Sequence, residues 1–131
     1  MSQENVEIVL AMGDAWNDAD ARRLRDIYDP EVVIRPPEGW PEPGPFVGVD
    51  AVMRQWEQTR ELWSADTFEI VGDPIDAGDR VAVRLVWTGA GRGLQTHLEF
   101  TAIYTVRNGK VCDQESFWDH ADALKAVGLE E

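Results

Sequence analysis

The chain has 131 residues, of which 44% are hydrophobic and 28% are charged. That size and composition are typical of one globular domain with its own core, so we expect a single domain over residues 1–131. Asp and Glu outnumber Lys and Arg by 25 to 12, which gives a formal net charge of −13. A surface this acidic repels phosphate backbones and anionic lipid, which argues against nucleic acid and membranes as partners.

Cysteine usage and the absence of a leader favour a cytoplasmic protein. Cys112 is the only cysteine, so the chain cannot form an internal disulfide or a cysteine-based zinc site. The first residues are polar and acidic, unlike a secretory leader, and no apolar run is long enough to span a membrane. With two histidines and no metal-binding spacing, we expect neither a metal nor another cofactor.

The first half of the chain predicts helices. Apolar residues recur at helical spacing in residues 3–17 and again in residues 48–63. Between them, Asp20 is a good N-cap for a short second helix that carries Tyr28 inward. A short strand follows at residues 31–35, and then a loop that holds five of the seven prolines, with Trp40 at its centre.

From residue 65 onward the apolar period changes from helical spacing to alternation, which predicts strands. The predicted strands cover residues 67–71, 80–88, 94–107 and 110–118. Asn108 and Gly109 form the strongest short hairpin signal in the chain, because both turn positions require positive φ. Asp119 then caps a last helical segment that ends at Gly128.

Helices followed by antiparallel strands indicate an α+β fold, and this order resembles the SnoaL-like, nuclear transport factor 2-like superfamily. Residues 17–24 are similar to the turn between that family's first two helices, and residues 46–52 to the entry of its third. Residues 108–111 and 119–129 are similar to its last hairpin and C-terminal segment. The resemblance implies a cone-shaped fold with three N-terminal helices packed on a curved antiparallel sheet around a central pocket.

A two-residue turn at Asn108 and Gly109 would also fix which side chains share a face, because directly opposed residues of paired strands point the same way. The more apolar face would then contain Leu98, Phe100, Ala102, Tyr104, Val106, Val111, Asp113, Glu115 and Phe117. We expect this face to line the pocket. The opposite face mixes polar groups with Ile103 and Trp118, and it is a candidate homodimer surface of the kind that family members use.

Glu115 is the candidate catalytic residue under this register. A carboxylate beside Phe100 and Phe117 would be desolvated, which raises its pKa towards neutrality and suits a general acid or base. The alternative is a buried ion pair between Glu115 and Arg84 or Arg35.

Other polar residues allow two interpretations each. His97 and Glu99 point the same way and could relay a proton, although a salt link from Glu99 to Arg84 is the stronger interpretation. Asp119 is first of all an N-cap, and His120 beside it is expected to be half-exposed.

Six tryptophans are many for this length, and they suggest a pocket for a flat apolar ligand, although helix-face tryptophans also serve as core. The candidate ligand-binding residues are Trp16, Tyr28, Trp40, Trp56, Leu98, Phe100 and Phe117.

Three functions stay open at this point. The first is a cofactor-independent acid–base enzyme of the isomerase, cyclase or hydratase type that acts on a small apolar metabolite through Glu115. The second is a non-catalytic binder of such a ligand, and the third is a protein-interaction domain. Steroid isomerisation itself is not expected, because the family's base position holds Pro36 and Pro37 and its acidic donor position lies near Ala102.

Overall fold

A computed structural model describes residues 2–39, 44–62, 65–91 and 94–128. The helices in these ranges are α1 (Ser2–Asn17), α2 (Ala21–Ile27), α3 (Val49–Leu62) and α4 (His120–Ala126). The strands are β1 (Tyr28–Arg35), β2 (Phe46–Val47), β3 (Ala65–Ile70), β4 (Ile75–Ala77), β5 (Arg80–Gly91), β6 (Leu94–Arg107) and β7 (Lys110–Phe117).

The strands form one curved sheet in the order β2-β1-β7-β6-β5-β3, with β4 also paired to β5. The predicted α+β cone fold is confirmed, with one difference in strand direction. All pairs are antiparallel except β1 with β7, which is parallel. The reason is that β1 begins where Tyr28 lies opposite Val111, so both strands start beside the β6–β7 hairpin and run away from it.

The second helix ends earlier than its apolar pattern indicates. Asp20 caps it as predicted, since its Oδ1 accepts the Arg23 N–H at 3.1 Å. Pro30 cannot donate a helical hydrogen bond, and it disfavours the helical conformation at Asp29. The chain is therefore already extended at Tyr28, three positions before the predicted start of the first strand.

The hairpin turn is confirmed, and the register predicted from it is wrong beyond Val111. Asn108 and Gly109 have φ of 53° and 76°, and Val106 pairs with Val111. The next pair is Thr105 with Asp113, so Cys112 is an extra residue in β7, a β-bulge. Because side chains alternate between faces, one extra residue exchanges the two faces of every position after it.

The bulge moves two pairs of residues to the sides opposite those predicted. Gln114 and Ser116 now lie on the concave face beneath α1 and α3, with Phe100 and Tyr104 of β6. Glu115 and Phe117 lie on the convex face instead.

The convex face carries a small apolar cluster of its own under α4. Phe117 packs there against Ala82, Ile103 and Ala123. Asp119 begins the helix as predicted, with its Oδ1 accepting the Ala121 N–H at 2.8 Å. The main core lies on the concave side, between the sheet and α1 and α3.

The backbone at two glycines predicts opposite effects of the same substitution. Gly109 has φ of +76°, so Gly109→Ala should lower the free energy of unfolding by about 1–2 kcal/mol, the cost of a left-handed alanine. Gly13 lies inside α1, and a Cβ there would meet no atom within 4 Å. Gly13→Ala should therefore raise that free energy by up to about 1 kcal/mol, through helix propensity.

Urea unfolding followed by circular dichroism measures both changes, and each variant is the control for the other. A higher free energy of unfolding in Gly109→Ala would contradict the positive φ at the hairpin turn, and a lower one in Gly13→Ala would contradict the open space beside Gly13.

Candidate functional site

A cavity of about 500 Å³ lies between the concave face of the sheet and helices α1 and α3. Most of its lining is apolar or aromatic, and that part comprises Val9, Leu10, Met12, Gly13, Trp16, Ile34, Pro36, Pro37, Phe46, Val52, Trp56, Phe68, Ile70, Val83, Leu85, Trp87 and Phe100. The polar lining residues are Asp14, Asn17, Tyr28, Gln55, Thr59, Glu69, Tyr104, Gln114 and Ser116. A cavity of this size and character suits a small organic molecule.

An aromatic belt, defined here as Trp56, Trp16, Phe68, Phe100 and Trp118, runs from α3 across α1 and the sheet to the end of β7. Successive rings meet edge to face, with centroids 6.2, 4.9, 6.1 and 6.2 Å apart and interplanar angles of 78–83°. Such contacts each contribute about 0.5–1.5 kcal/mol beyond burial, and they fix ring orientation. The belt therefore presents rigid ring surfaces to the cavity.

Asn17 sets the position of the belt where α1 meets β3. Its side-chain amide donates to the Phe68 carbonyl at 2.8 Å and accepts the Phe68 N–H at 2.9 Å. This pair of hydrogen bonds replaces the partner strand that β3 lacks on its free edge. It holds Trp16, the neighbour of Asn17, against the Phe68 ring.

Arg60 supports the belt from α3. Its guanidinium lies 5.1 Å from the centroid of the Trp56 ring and donates to the Trp16 backbone carbonyl at 3.1 Å, so it contacts the Trp56 indole and ties α3 to the end of α1. The Trp56 Nε1–H is buried without an acceptor among the described residues. Leaving such a donor unpaired costs about 1–3 kcal/mol.

Two buried tyrosines, Tyr28 and Tyr104, supply hydroxyls to the same cavity. Burial raises the pKa of both well above the ordinary value of 10.0, and the nearby Tyr28 raises that of Tyr104 further. No hydrogen bond to either hydroxyl is found among the described residues. Both phenols are therefore neutral donors at physiological pH and cannot act as bases.

Four other polar side chains divide between the interior and the rim of the cavity. Gln114 and Ser116 face inward from β7 because of the bulge, and Ser116 is buried. Asp14 and Glu69 are exposed and stand at the rim. Among the described lining residues, these two are the only carboxylates.

Four of the predicted ligand-binding residues line the cavity: Trp16, Tyr28, Trp56 and Phe100. Leu98 packs against the main core but is not part of the lining. Phe117 is on the other side of the sheet, under α4, because of the bulge. Trp40 lies outside the described residues.

Glu115 does not occupy the site predicted for it. Its side chain is exposed on the convex face, where its strand partners are Ile103 and Arg35. The ion pair proposed as its alternative is also absent among the described residues, since Arg35 pairs with Asp113 at 2.6 Å. A desolvated Glu115 inside the pocket is therefore a wrong prediction, and the extra residue Cys112 is the cause.

Two other polar pairs are structural. Arg84 Nε lies 2.9 Å from Glu99 Oε1 on the exposed face, so the predicted salt link is confirmed. His97 forms a hydrogen bond of 3.0 Å with Thr88. Within the part of the chain that the structure describes, no three His, Cys, Asp or Glu side chains come together as metal ligands.

Sequence reasoning missed several lining residues for different reasons. Tyr104 alternates with Phe100 along β6, so the period of two already placed it on the pocket face. Gln114 and Ser116 were assigned to the opposite face, and only the bulge brings them inward. No sequence signal marked that bulge.

The fold of the described residues, four helices packed on a curved seven-stranded sheet, defines a protein of the nuclear transport factor 2-like class. The chain belongs to the SnoaL-like domain family, whose model matches residues 9–114. No curated protein matches the chain in sequence.

Solved structures confirm the fold at low sequence identity. Bal32a, from a soil-derived mobile gene cassette, superposes with a TM-score of 0.81 at 19% identity, covering 88% of each chain. TerC, co-crystallised with polyporic acid, gives 0.78 at 22% identity, over 95% of this chain and 98% of TerC. IdmH from Streptomyces antibioticus, provisionally described as a polyketide cyclase, gives 0.73 at 20% identity, over 95% of this chain and 99% of IdmH.

The predictions of assembly and location stay predictions. On the proposed dimer face, α4 covers Ile103, and the bulge turns Gln114 and Ser116 away to the cavity. None of the helices in the described ranges is long and apolar enough to cross a bilayer.

The tyrosine environment predicts an unusual titration. Tyr28 and Tyr104 are the only tyrosines in the chain, so absorbance at 295 nm should show no phenolate between about pH 9 and 11 while the protein is folded. In urea both should titrate near the ordinary value of 10.0.

The raised pKa values of Tyr28 and Tyr104 also predict how the stability of the fold depends on pH. Above pH 10 the unfolded chain releases phenolic protons that the folded chain retains, so the free energy of unfolding should fall as pH rises through that range. Phenolate formation near pH 10 in the folded protein would show that the hydroxyls are not buried.

Proposed function

We propose that this protein binds a small, flat, mainly apolar ring compound that carries an oxygen acceptor, and that the ligand occupies the central cavity. One observation carries the proposal: four rings of the aromatic belt, those of Trp56, Trp16, Phe68 and Phe100, line the same cavity as the two buried tyrosines. The belt suits ring faces, while Tyr28 and Tyr104 can donate to an oxygen atom on the ligand.

The hydroxyls favour a ligand with an acceptor over a plain hydrocarbon. Tyr28 and Tyr104 line the cavity, and neither hydroxyl has a hydrogen-bond partner among the described residues, so a ligand carbonyl or phenol oxygen could accept from them on binding. Sites built to hydrogen-bond a ligand discriminate strongly against analogues that lack the matching group. The pair Tyr28 and Tyr104 would therefore determine which ring compounds bind.

Charge narrows the ligand class further. The net charge of the chain is −13, and the exposed lining carboxylates Asp14 and Glu69 add negative potential at the cavity. A neutral or weakly cationic compound is favoured over an anion. The relatives agree with a ring-containing ligand, since TerC was crystallised with polyporic acid and IdmH carries the polyketide cyclase description.

Binding without turnover is better supported than acid–base catalysis. The interior offers neutral donors at Tyr28, Tyr104, Gln114 and Ser116, which can stabilise a developing negative oxygen but cannot remove a proton. Glu115, the predicted acid or base, faces away from the cavity. Among the described lining residues, Asp14 and Glu69 are the carboxylates that could act as a base in a catalysed reaction.

A matched pair of probes tests the proposal. Fluorene and 9-fluorenone share one flat ring system and differ by a carbonyl oxygen. Fluorenone should quench the fluorescence of the wall residues Trp16 and Trp56, and it should bind more tightly than fluorene. Tyr28→Phe and Tyr104→Phe should each weaken fluorenone binding by about 0.5–1.5 kcal/mol while leaving fluorene nearly unchanged.

Glu115→Gln is the control, because its carboxylate lies on the far side of the sheet, and it should bind both probes as the wild type does. Equal binding of fluorene and fluorenone would remove the case for the two hydroxyls. Failure of both probes to bind would count against the proposed function itself.

A further inference from the structure

Trp118 is a large aromatic residue at the end of β7 that the ligand-binding proposal does not yet use. It is 43% exposed, and it ends the aromatic belt, with its ring centroid 6.2 Å from that of Phe100. Its indole N–H donates to the Glu38 carbonyl at 2.5 Å. One side chain thus joins a ring of the cavity wall to the segment that follows β1.

That segment, residues 36–39, forms part of the cavity boundary. Pro36 and Pro37 both line the cavity, and Pro37 is buried. Neither proline has an amide N–H, so the segment cannot continue the ladder of β1 by donating to a neighbouring strand. The contact with Glu38 is therefore a side-chain substitute for the strand pairing that ends at Arg35.

The geometry points to Trp118 as a positioning residue that holds residues 36–39 against the cavity and so controls how fast a ligand enters and leaves. This inference rests on the proposed function, and it concerns exchange rates rather than the choice of ligand. Trp118 has its place because the bulge at Cys112 turns it towards Phe100. In the register predicted from the turn alone it would point to the convex side.

Loss of the hydrogen bond between Trp118 and Glu38 should change the rates of ligand entry and exit but not the affinity. Neither Trp118 nor Glu38 lines the cavity, so loss of the hydrogen bond between them should change the free energies of the ligand-free and ligand-bound states about equally. Loss of the hydrogen bond should also make residues 36–39 easier to displace, and a ligand could enter or leave while they are displaced. Entry and exit should therefore both accelerate, while the dissociation constant changes little.

Two substitutions separate the contacts of Trp118. Trp118→Phe removes the N–H donor and keeps a ring beside Phe100, whereas Trp118→Ala removes both. Stopped-flow quenching of the total tryptophan fluorescence by 9-fluorenone, normalised to each variant's own amplitude, should give association and dissociation rate constants about tenfold higher for Trp118→Phe, with a less than about threefold change in their ratio. Glu115→Gln should leave both rates unchanged.

Wild-type rates in Trp118→Phe, while fluorenone binds normally, would overturn the inference and leave the proposed function standing. A faster exit with unchanged entry would also overturn it, because that pattern describes a wall residue in direct contact with the ligand.

Backbone NMR relaxation tests the inference independently of any ligand. In the ligand-free protein, Trp118→Phe should lower the order parameters of the Glu38 and Gly39 amides, because their segment loses its hydrogen bond to Trp118, and it should leave those of β5 and β6 unchanged. If fluorenone binds no variant, the proposed function fails, and this measurement still decides whether Trp118 holds the segment. Unchanged order parameters at Glu38 and Gly39 would overturn the inference.

Discussion

The extra residue in β7 determines which chemical groups the cavity contains. Val106 pairs with Val111 and Thr105 with Asp113, so every side chain from Asp113 onward takes the opposite face from the one that a regular ladder would give it. Without the bulge, the cavity would contain the carboxylate of Glu115 and would lose the amide of Gln114 and the hydroxyl of Ser116. The difference between a site with a buried acid and a site with neutral donors thus depends on Cys112.

Strand β1, which pairs with β7, is also irregular, and its irregularity lies opposite the bulge at Cys112. Between Tyr28 and Val33 the pairing of β1 with β7 also shifts, since five steps along β1 correspond to two along β7. Pro30 lies within that stretch and cannot donate to a ladder. Bulges are common beside binding sites, and both irregularities lie on strands that carry cavity-lining residues, Tyr28 on β1 and Gln114 on β7.

Much of the fold could be predicted from local patterns, because those patterns have local causes. Apolar spacing identified α1 and α3, Asp20 and Asp119 identified two caps, and Asn108 with Gly109 identified the hairpin. The bulge could not be predicted in this way, because it depends on how β7 fits between two strands rather than on its own residues. The alternation along β6 correctly predicted that Phe100 and Tyr104 face the cavity. The predicted facing of side chains is wrong only in β7, after Val111.

The candidate site shows the same division between local and tertiary causes. Trp16 and Trp56 lie on apolar helix stripes, so their inward direction follows from helical period alone, although Arg60 and Asn17, which orient them, could not be recognised before the tertiary contacts were known. The resulting wall is stiff: edge-to-face rings, a cation–π contact and a double hydrogen bond to β3 leave it little freedom to adapt. A stiff aromatic wall favours binding of a preformed shape, because little side-chain entropy is lost when the ligand enters. Under the proposed function, the neutral hydroxyls of Tyr28 and Tyr104 would distinguish among flat molecules by one atom, which is a selectivity that shape alone does not provide.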